Sequence, residues 1–377
     1  MSFMFEKCSG LTTIDLGNFR TEKLTNLNGM FSDCSQLVSI NMSGFAVNRA
    51  GYAYMFTNCS SLAAIQAGGA NIPDEQYAEI GNPNLLVYVN EASQAPQNVQ
   101  NVVVRDFATT IILTDEAGTS GNNNFYVPRS FTAEMISYTH EYRQQTVNGV
   151  SRGWESIVLP FTVQTIVNER NGVIAPFGNS SSDMHFWLRQ LSPDGIIRAT
   201  QIEANRAYLI SMPNNEDEYA AKYNQNGRVT FSSENALVPA TVIEGVEGQI
   251  PGGEMVTLMP NFLKKDASDN LYALNVGEER LYNGTNYPEG SVFERGYRGI
   301  RPFEAYTIHH GNSPAPQFIS ISDMTDGGNV TGINDATLVN SEEVNGEKWY
   351  SVNGQKLQKK PTQKGVYLHN GRKVIVR

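Results

Sequence analysis

Long apolar runs are missing from this chain. Nowhere do the roughly 18 to 20 consecutive apolar residues of a membrane helix occur, and no basic region followed by an apolar stretch opens it. No transmembrane segment is therefore expected within it. Basic residues are also scarce, 28 Lys and Arg against 38 Asp and Glu for a net charge of -10. Non-specific nucleic-acid binding needs clustered cations to displace counterions from phosphate, so nucleic acid is excluded as a partner. Only three cysteines and five histidines are present in 377 residues, with no CxxC pair, HExxH, GxSxG, P-loop or GxGxxG among them. His309 and His310 are adjacent in an expected strand and should point to opposite faces, a poor chelate. His140, His185 and His369 stand alone in the sequence, as surface or satisfied core histidines do.

These absences leave no catalytic residue, no metal ligand and no cofactor to name. Paired-carboxylate chemistry has no spacing signature, and with this many acids some pair will lie close by chance. Asn214 to Glu218 and Asp266 to Asn270 offer oxygen atoms without the spacing of a calcium loop, so they read as solvated turns. Gly and Pro occur at ordinary frequencies, and a chain of this length holds two or three domains.

What is present is a repeat. Met-Phe-x-x-Cys-Ser-x-Leu-x-x-Ile occurs from Met4 to Ile14, Met30 to Ile40 and Met55 to Ile65, a period in the range of leucine-rich solenoids. Cys8, Cys34 and Cys59 share one repeat position, which predicts a ladder of enclosed free thiols, with a disulfide between adjacent rungs as the alternative. Leu11, Ile14 and Leu16, then Leu37, Ile40 and Met42, place a short strand in each coil, and Phe19 and Phe45 predict a second internal ladder. The strand residues expected to face outward are Thr13, Asp15, Ser39, Asn41, Ala64 and Gln66. They are the candidate binding row; a merely solvated face is the plainer alternative. Pro73 to Ile80 reads as a short capping helix and Leu85 to Val89 as the last strand. Residues 1 to 3 align with Leu27 to Gly29, so the chain starts in mid-coil and a longer parent is expected.

The segments MFEKCSGLTTIDLGNF and MFSDCSQLVSINMSGF resemble the BspA-like leucine-rich repeats of bacterial surface proteins. That resemblance covers about the first quarter of the chain and implies an extracellular scaffold concerned with adhesion or host contact.

From residue 98 to 322 many short β-prone runs are broken by Gly121-Asn-Asn-Asn, Pro193-Asp-Gly, Asn224-Gln-Asn-Gly and Pro251-Gly-Gly. This pattern predicts an antiparallel sandwich-like region of one or two domains. Trp154 to Phe161, Arg206 to Ile210 and Arg301 to Tyr306 resemble parts of β-rich domains that follow such repeats, and core packing is their expected role. The aromatic residues suit a β core and would also serve sugar stacking; Trp187, which follows the polar run Gly178 to Asp183, is the tryptophan whose exposure would favour the second reading.

Residues 323 to 347 read as a linker. Residues 348 to 377 hold Asn-Gly twice between β-prone runs, which predicts two hairpins. Residues 341 to 377 balance at about +5, leaving about -15 on the rest, and such asymmetry marks a separate unit. Tyr350 to Gly354, Gly365 to Tyr367 and Lys373 to Arg377 resemble the C-terminal sorting domain of type IX secretion, apart from a short length and a Lys/Pro-rich connector. The resemblance implies export across the outer membrane of a Gram-negative bacterium.

The expectation is thus a multi-domain, mainly β protein. It has a leucine-rich-repeat solenoid at 1–95, a β-rich region at 98–322, a linker at 323–347 and a sorting or anchoring hairpin module at 348–377. It is expected to be a non-catalytic, adhesin-like cell-surface protein whose partner is a host or bacterial surface protein or a glycan. The alternatives are a carbohydrate-binding or glycan-processing accessory protein with its site in the β-rich region, and a structural stalk.

Overall fold

The computed structural model describes residues 1–45, 51–119, 121–142, 153–174, 185–193, 195–214, 224–250, 254–311, 315–321, 349–351, 356–357, 365–369 and 372–376. The linker expected at 323–347, the acidic loop from residue 215 onward and the Asn-Gly pairs at 353–354 and 370–371 lie outside them. The chain divides into two compact units, Met1–Ala336 and Thr337–Arg377.

The repeat chemistry builds a stack of coils. Each contributes a short strand, β1 (Thr13–Asp15), β2 (Ser39–Asn41) and β3 (Ala64–Gly68), paired in parallel with Ile14, Ile40 and Ile65 in register. Opposite the strands, Phe5, Phe31 and Phe56 stack nearly parallel with centroids 5.6 and 6.1 Å apart. Helix α1 (Asp74–Ala78) replaces the fourth coil's phenylalanine with Tyr77, 6.4 Å from Phe56. The backbone repeats as well. Phe5 N–H donates to Met30 O and Phe31 N–H to Met55 O, and Lys7, Asp33 and Asn58 all take the left-handed conformation at one repeat position. Each coil therefore offers its neighbour the same surface, which is why the motif recurs in phase.

All three cysteines are free thiols. Cys34 Sγ donates to Phe5 O at 2.9 Å and Cys59 Sγ to Phe31 O at 3.1 Å, so each thiol ties its coil to the preceding one. Burial, reinforced by nearby Cys34, pushes the Cys59 thiol up to about 12. Cys8 is only half-buried. An aromatic disulfide reagent at pH 8 should therefore modify one thiol in the native chain and the other two only after denaturation; fast release of all three would contradict this packing. The second expected ladder forms in part. Phe45 is buried, whereas Phe19, in the first coil, is 42% exposed because no further coil covers it among the described residues.

The stack does not stop at β4 (Leu86–Val89), the strand expected to be last. β5 (Asn101–Val104) pairs with it in parallel and carries the sheet past the expected boundary at residues 95–98. Next come β6 (Phe107–Thr114), β7 (Phe131–Tyr142), β8 (Glu155–Val158), β9 (Thr165–Asn168) and β10 (Gly172–Ile174). β11 (Trp187–Ser192), β12 (Gly195–Arg198), β13 (Ala207–Ser211) and β14 (Gly227–Val238) complete this part of the chain. One ten-stranded sheet runs in the order β1-β2-β3-β4-β5-β6-β7-β14-β9-β10, and a four-stranded sheet in the order β12-β11-β13-β8. Beyond β5, pairing in the large sheet is antiparallel as expected except at β6 and β7, which run parallel.

A third sheet, six-stranded and antiparallel, is built from β15 (Val246–Ile250), β16 (Glu254–Pro260), β17 (Tyr272–Leu274), β20 (Val292–Arg295), β21 (Ala305–His310) and β22 (Phe318–Ser320). A separate hairpin, β18 (Arg280–Tyr282) with β19 (Thr285–Tyr287), turns at Asn283 and Gly284, both with positive φ. Trp154, Phe161, Tyr208, Phe303 and Tyr306 are buried, so the aromatic signature segments pack the core as their patterns require.

Asparagines join the stack to the later sheets. Gly121-Asn-Asn-Asn reads in the sequence as a break between strands, and Asn122, Asn123 and Asn124 are buried. Asn82 Nδ2 donates to Leu62 O and Asn124 O, Asn84 Nδ2 to Thr114 O and Asn123 O, and Asn124 Nδ2 to Ser61 O. Asparagine suits the seam because one side chain both donates and accepts, which lets irregular backbone be buried without orphaned carbonyls.

The second unit is a four-stranded antiparallel sheet in the order β24 (Lys356–Leu357), β23 (Trp349–Ser351), β25 (Gly365–His369) and β26 (Arg372–Val376). Its pairings, β23 with β24 and β25 with β26, are the two expected hairpins. Among the described residues no helix is long and apolar enough to cross a membrane.

Candidate functional site

The six residues of the expected binding row occupy β1 to β3, but they do not form one open surface. Thr13 and Asp15 are exposed and Asn41 and Gln66 half-buried, whereas Ser39 is 6% and Ala64 0% exposed. Both small residues sit on strands paired on either side, so their neighbours enclose them. Asp15 Oδ1 accepts from Gly17 N–H at 2.9 Å and Asn41 Nδ2 at 2.8 Å, and Asn41 Oδ1 accepts from Ser43 N–H. Asp15 and Asn41 therefore close turns within their own coils.

The accessible polar surface lies a few residues earlier in each coil. Thr13, Ser35, Gln36, Ser60 and Ser61 form one wall of a groove of about 680 Å³. Lys264, Lys265, Asp266 and Tyr126 line the rest of it. The Asn124 side chain fixes the lysine segment by accepting the Lys264 N–H at 2.6 Å across 140 residues of sequence, and Lys265 is tied to Ile300 by paired backbone bonds. Of the expected row only Thr13 lines this groove. The lysines could not be found from sequence, because nothing local to Lys264 says that it lies against the repeats.

A second concavity centres on His140. On β7 the alternation of the pleat puts Tyr138, His140 and Tyr142 on one face, where His140 meets Tyr142 edge-on at 4.6 Å. Its Nδ1 lies 2.6 Å from Asp115 Oδ2 and its Nε2 2.9 Å from Glu155 Oε2. Burial pulls the imidazole pKa down, but the Glu155 charge and the two carboxylate hydrogen bonds outweigh it and push it up to about 10. Burial likewise opposes ionisation of Asp115, yet the His140 hydrogen bond and charge hold its carboxyl below the usual range. The ring is thus an imidazolium near neutral pH with no lone pair to act as a base.

Beside it, Glu304 takes Arg298 Nη1 on Oε2 at 2.8 Å and Arg301 Nη2 on Oε1 at 2.7 Å. Burial raises the Glu304 pKa, and the two guanidinium charges overcome that and set it below the ordinary carboxylate value. Ser156, the one hydroxyl nearby on β8, exchanges hydrogen bonds with the Ala305 backbone. No protein-family profile, curated protein or solved structure matches the chain. The geometry therefore carries the functional argument alone.

Among the described residues no group of three or more His, Cys, Asp or Glu is arranged to hold a metal ion. Trp187, the candidate stacking residue, is 5% exposed and Trp154 1% exposed, so both pack in the core. Trp187 lies at the start of the central strand β11, paired on that side with β13, which is why it is covered.

Proposed function

We propose that this chain is a non-catalytic, adhesin-like protein of the bacterial cell surface, and that its repeat coils are leucine-rich repeats of the BspA-like kind. Its recognition surface is the groove lined by the hydroxyl-bearing coil residues and by Lys264 and Lys265. One observation carries the reading: successive coils present Ser35 and Ser60 at the same repeat position on one wall of a groove that also holds two lysines. Such a surface offers repeated hydrogen-bond partners at the spacing of the stack, beside two lysines only partly offset by Asp266, and suits an extended surface protein or glycan carrying negative groups. The buried tryptophans Trp154 and Trp187 weigh against recognition by aromatic stacking. The C-terminal sheet, with its basic balance, serves as the export or anchoring module.

The test is an array of extracellular-matrix proteins and glycans probed with the whole chain and with a Lys264→Glu, Lys265→Glu variant. Binding that falls at least tenfold in the variant, with unchanged thermal unfolding, is the expected result. Unaltered binding would move recognition away from this groove, and polysaccharide hydrolysis by the whole chain would overturn the non-catalytic reading.

A further inference from the structure

The His140 concavity has two compartments. The inner chamber, about 40 Å³, has Asp115, Tyr142, Glu155 and Arg301 in its lining. It shares Asp115, His140, Glu155 and Arg301 with the lining of an adjoining outer groove of about 760 Å³. That outer volume lies within the range of small-molecule sites, and the inner one admits a single polar group.

The Tyr142 hydroxyl has no hydrogen-bond partner among the described residues, although Tyr142 is 3% exposed and lines the chamber. A buried hydroxyl left unpaired is costly, so the chamber has a place for one more polar atom. Burial, reinforced by the Glu155 charge, holds the phenol well above its usual pKa, so it remains a donor. Glu155, 7% exposed, gives Oε2 to His140 and keeps its other oxygen for a second donor.

Charge narrows the class of occupant. The His140 imidazolium offsets one of Asp115 and Glu155, and Arg298 and Arg301 offset Glu304 and the remaining carboxylate. The outer groove adds Glu116, Glu141 and Glu289 against Arg228, an acidic balance that disfavours an anion. At the inner chamber an ion of either sign gains little from the compensated cluster, whereas a hydroxyl donates to a carboxylate and accepts from a phenol or guanidinium with one atom. Ile112, 45% exposed, and Val276 supply an apolar patch for a C–H face.

We propose that this concavity binds a neutral saccharide of two or three units, with one hydroxyl seated between Tyr142 and Glu155. The site is separate from the coil groove and stands or falls independently of it. Neutral trisaccharides of differing linkage, an oligolysine and a sulfated tetrasaccharide would be titrated into the whole chain by calorimetry. At least one neutral trisaccharide should bind, with affinity about tenfold lower in Tyr142→Phe, which removes only the hydroxyl, and in the rim variant Ile112→Asp. Lys264→Glu, Lys265→Glu should leave that affinity unchanged. Binding of the charged probes alone, no binding at millimolar concentration, or binding indifferent to both Tyr142→Phe and Ile112→Asp would overturn the proposal. In the last case the hydroxyl holds only a water.

Discussion

Replacing His140 with leucine is expected to destabilise the first unit by about 3–5 kcal/mol, the usual cost of removing one member of a buried charge cluster. The ring bonds carboxylates on both sides, so its loss leaves the buried Glu155 and the half-buried Asp115 without their shared cation. Titration gives the effect a signature. His140 has a higher pKa in the folded chain than in the unfolded one, so its contribution is complete below about pH 6.5 and disappears as pH rises towards about 10. Asp115 is shifted downward, so its contribution is present above the ordinary carboxylate range and disappears in acid. Urea unfolding at pH 6 and pH 9.5 should show wild type losing stability across that interval. His140→Leu should lack this component of the loss. An equal alkaline decline in both proteins would show that the imidazolium contributes nothing.

The second large effect belongs to the aromatic column. Phe31 is fully enclosed between Phe5 and Phe56, and truncation to alanine is expected to cost about 3–5 kcal/mol through lost burial and an unfilled cavity. Phe5→Ala, at the outer end of the stack, should cost less because Phe5 is only half-buried. Thermal unfolding of the two variants measures the ratio. Equal losses would mean that the coils do not act as a graded stack, in which each interface adds its own increment.

The two mutations also divide what the sequence discloses from what it conceals. The column is legible because a solenoid-like stack repeats its chemistry at a fixed interval, and Met30, Phe31, Cys34, Leu37 and Ile40 are buried as their recurrence implies. The hairpins of the second unit are legible because Asn-Gly is a local signal. The His140 cluster is not, since its members come from β7, β8 and the loop after β6, brought together by pairings that no short motif specifies. Glu155, Arg301 and Glu304 lie inside segments whose aromatic pattern marks them as core, but their charges pair only in the folded chain. The alternation rule puts Ser39 and Ala64 on an outward face. Alternation describes direction along a strand and not what neighbouring strands cover.

The asparagine seam bears on how such a protein can be altered by recombination. Because Asn122 and Asn124 satisfy carbonyls of the third coil, Leu62 and Ser61, a crossover near residue 95 would part those carbonyls from donors on its far side and leave Leu62 only the bond from Asn82. Gene exchange that lengthens, shortens or replaces the coils is therefore tolerated upstream of Ser61, whereas the third coil must be inherited together with the sheets on its C-terminal side.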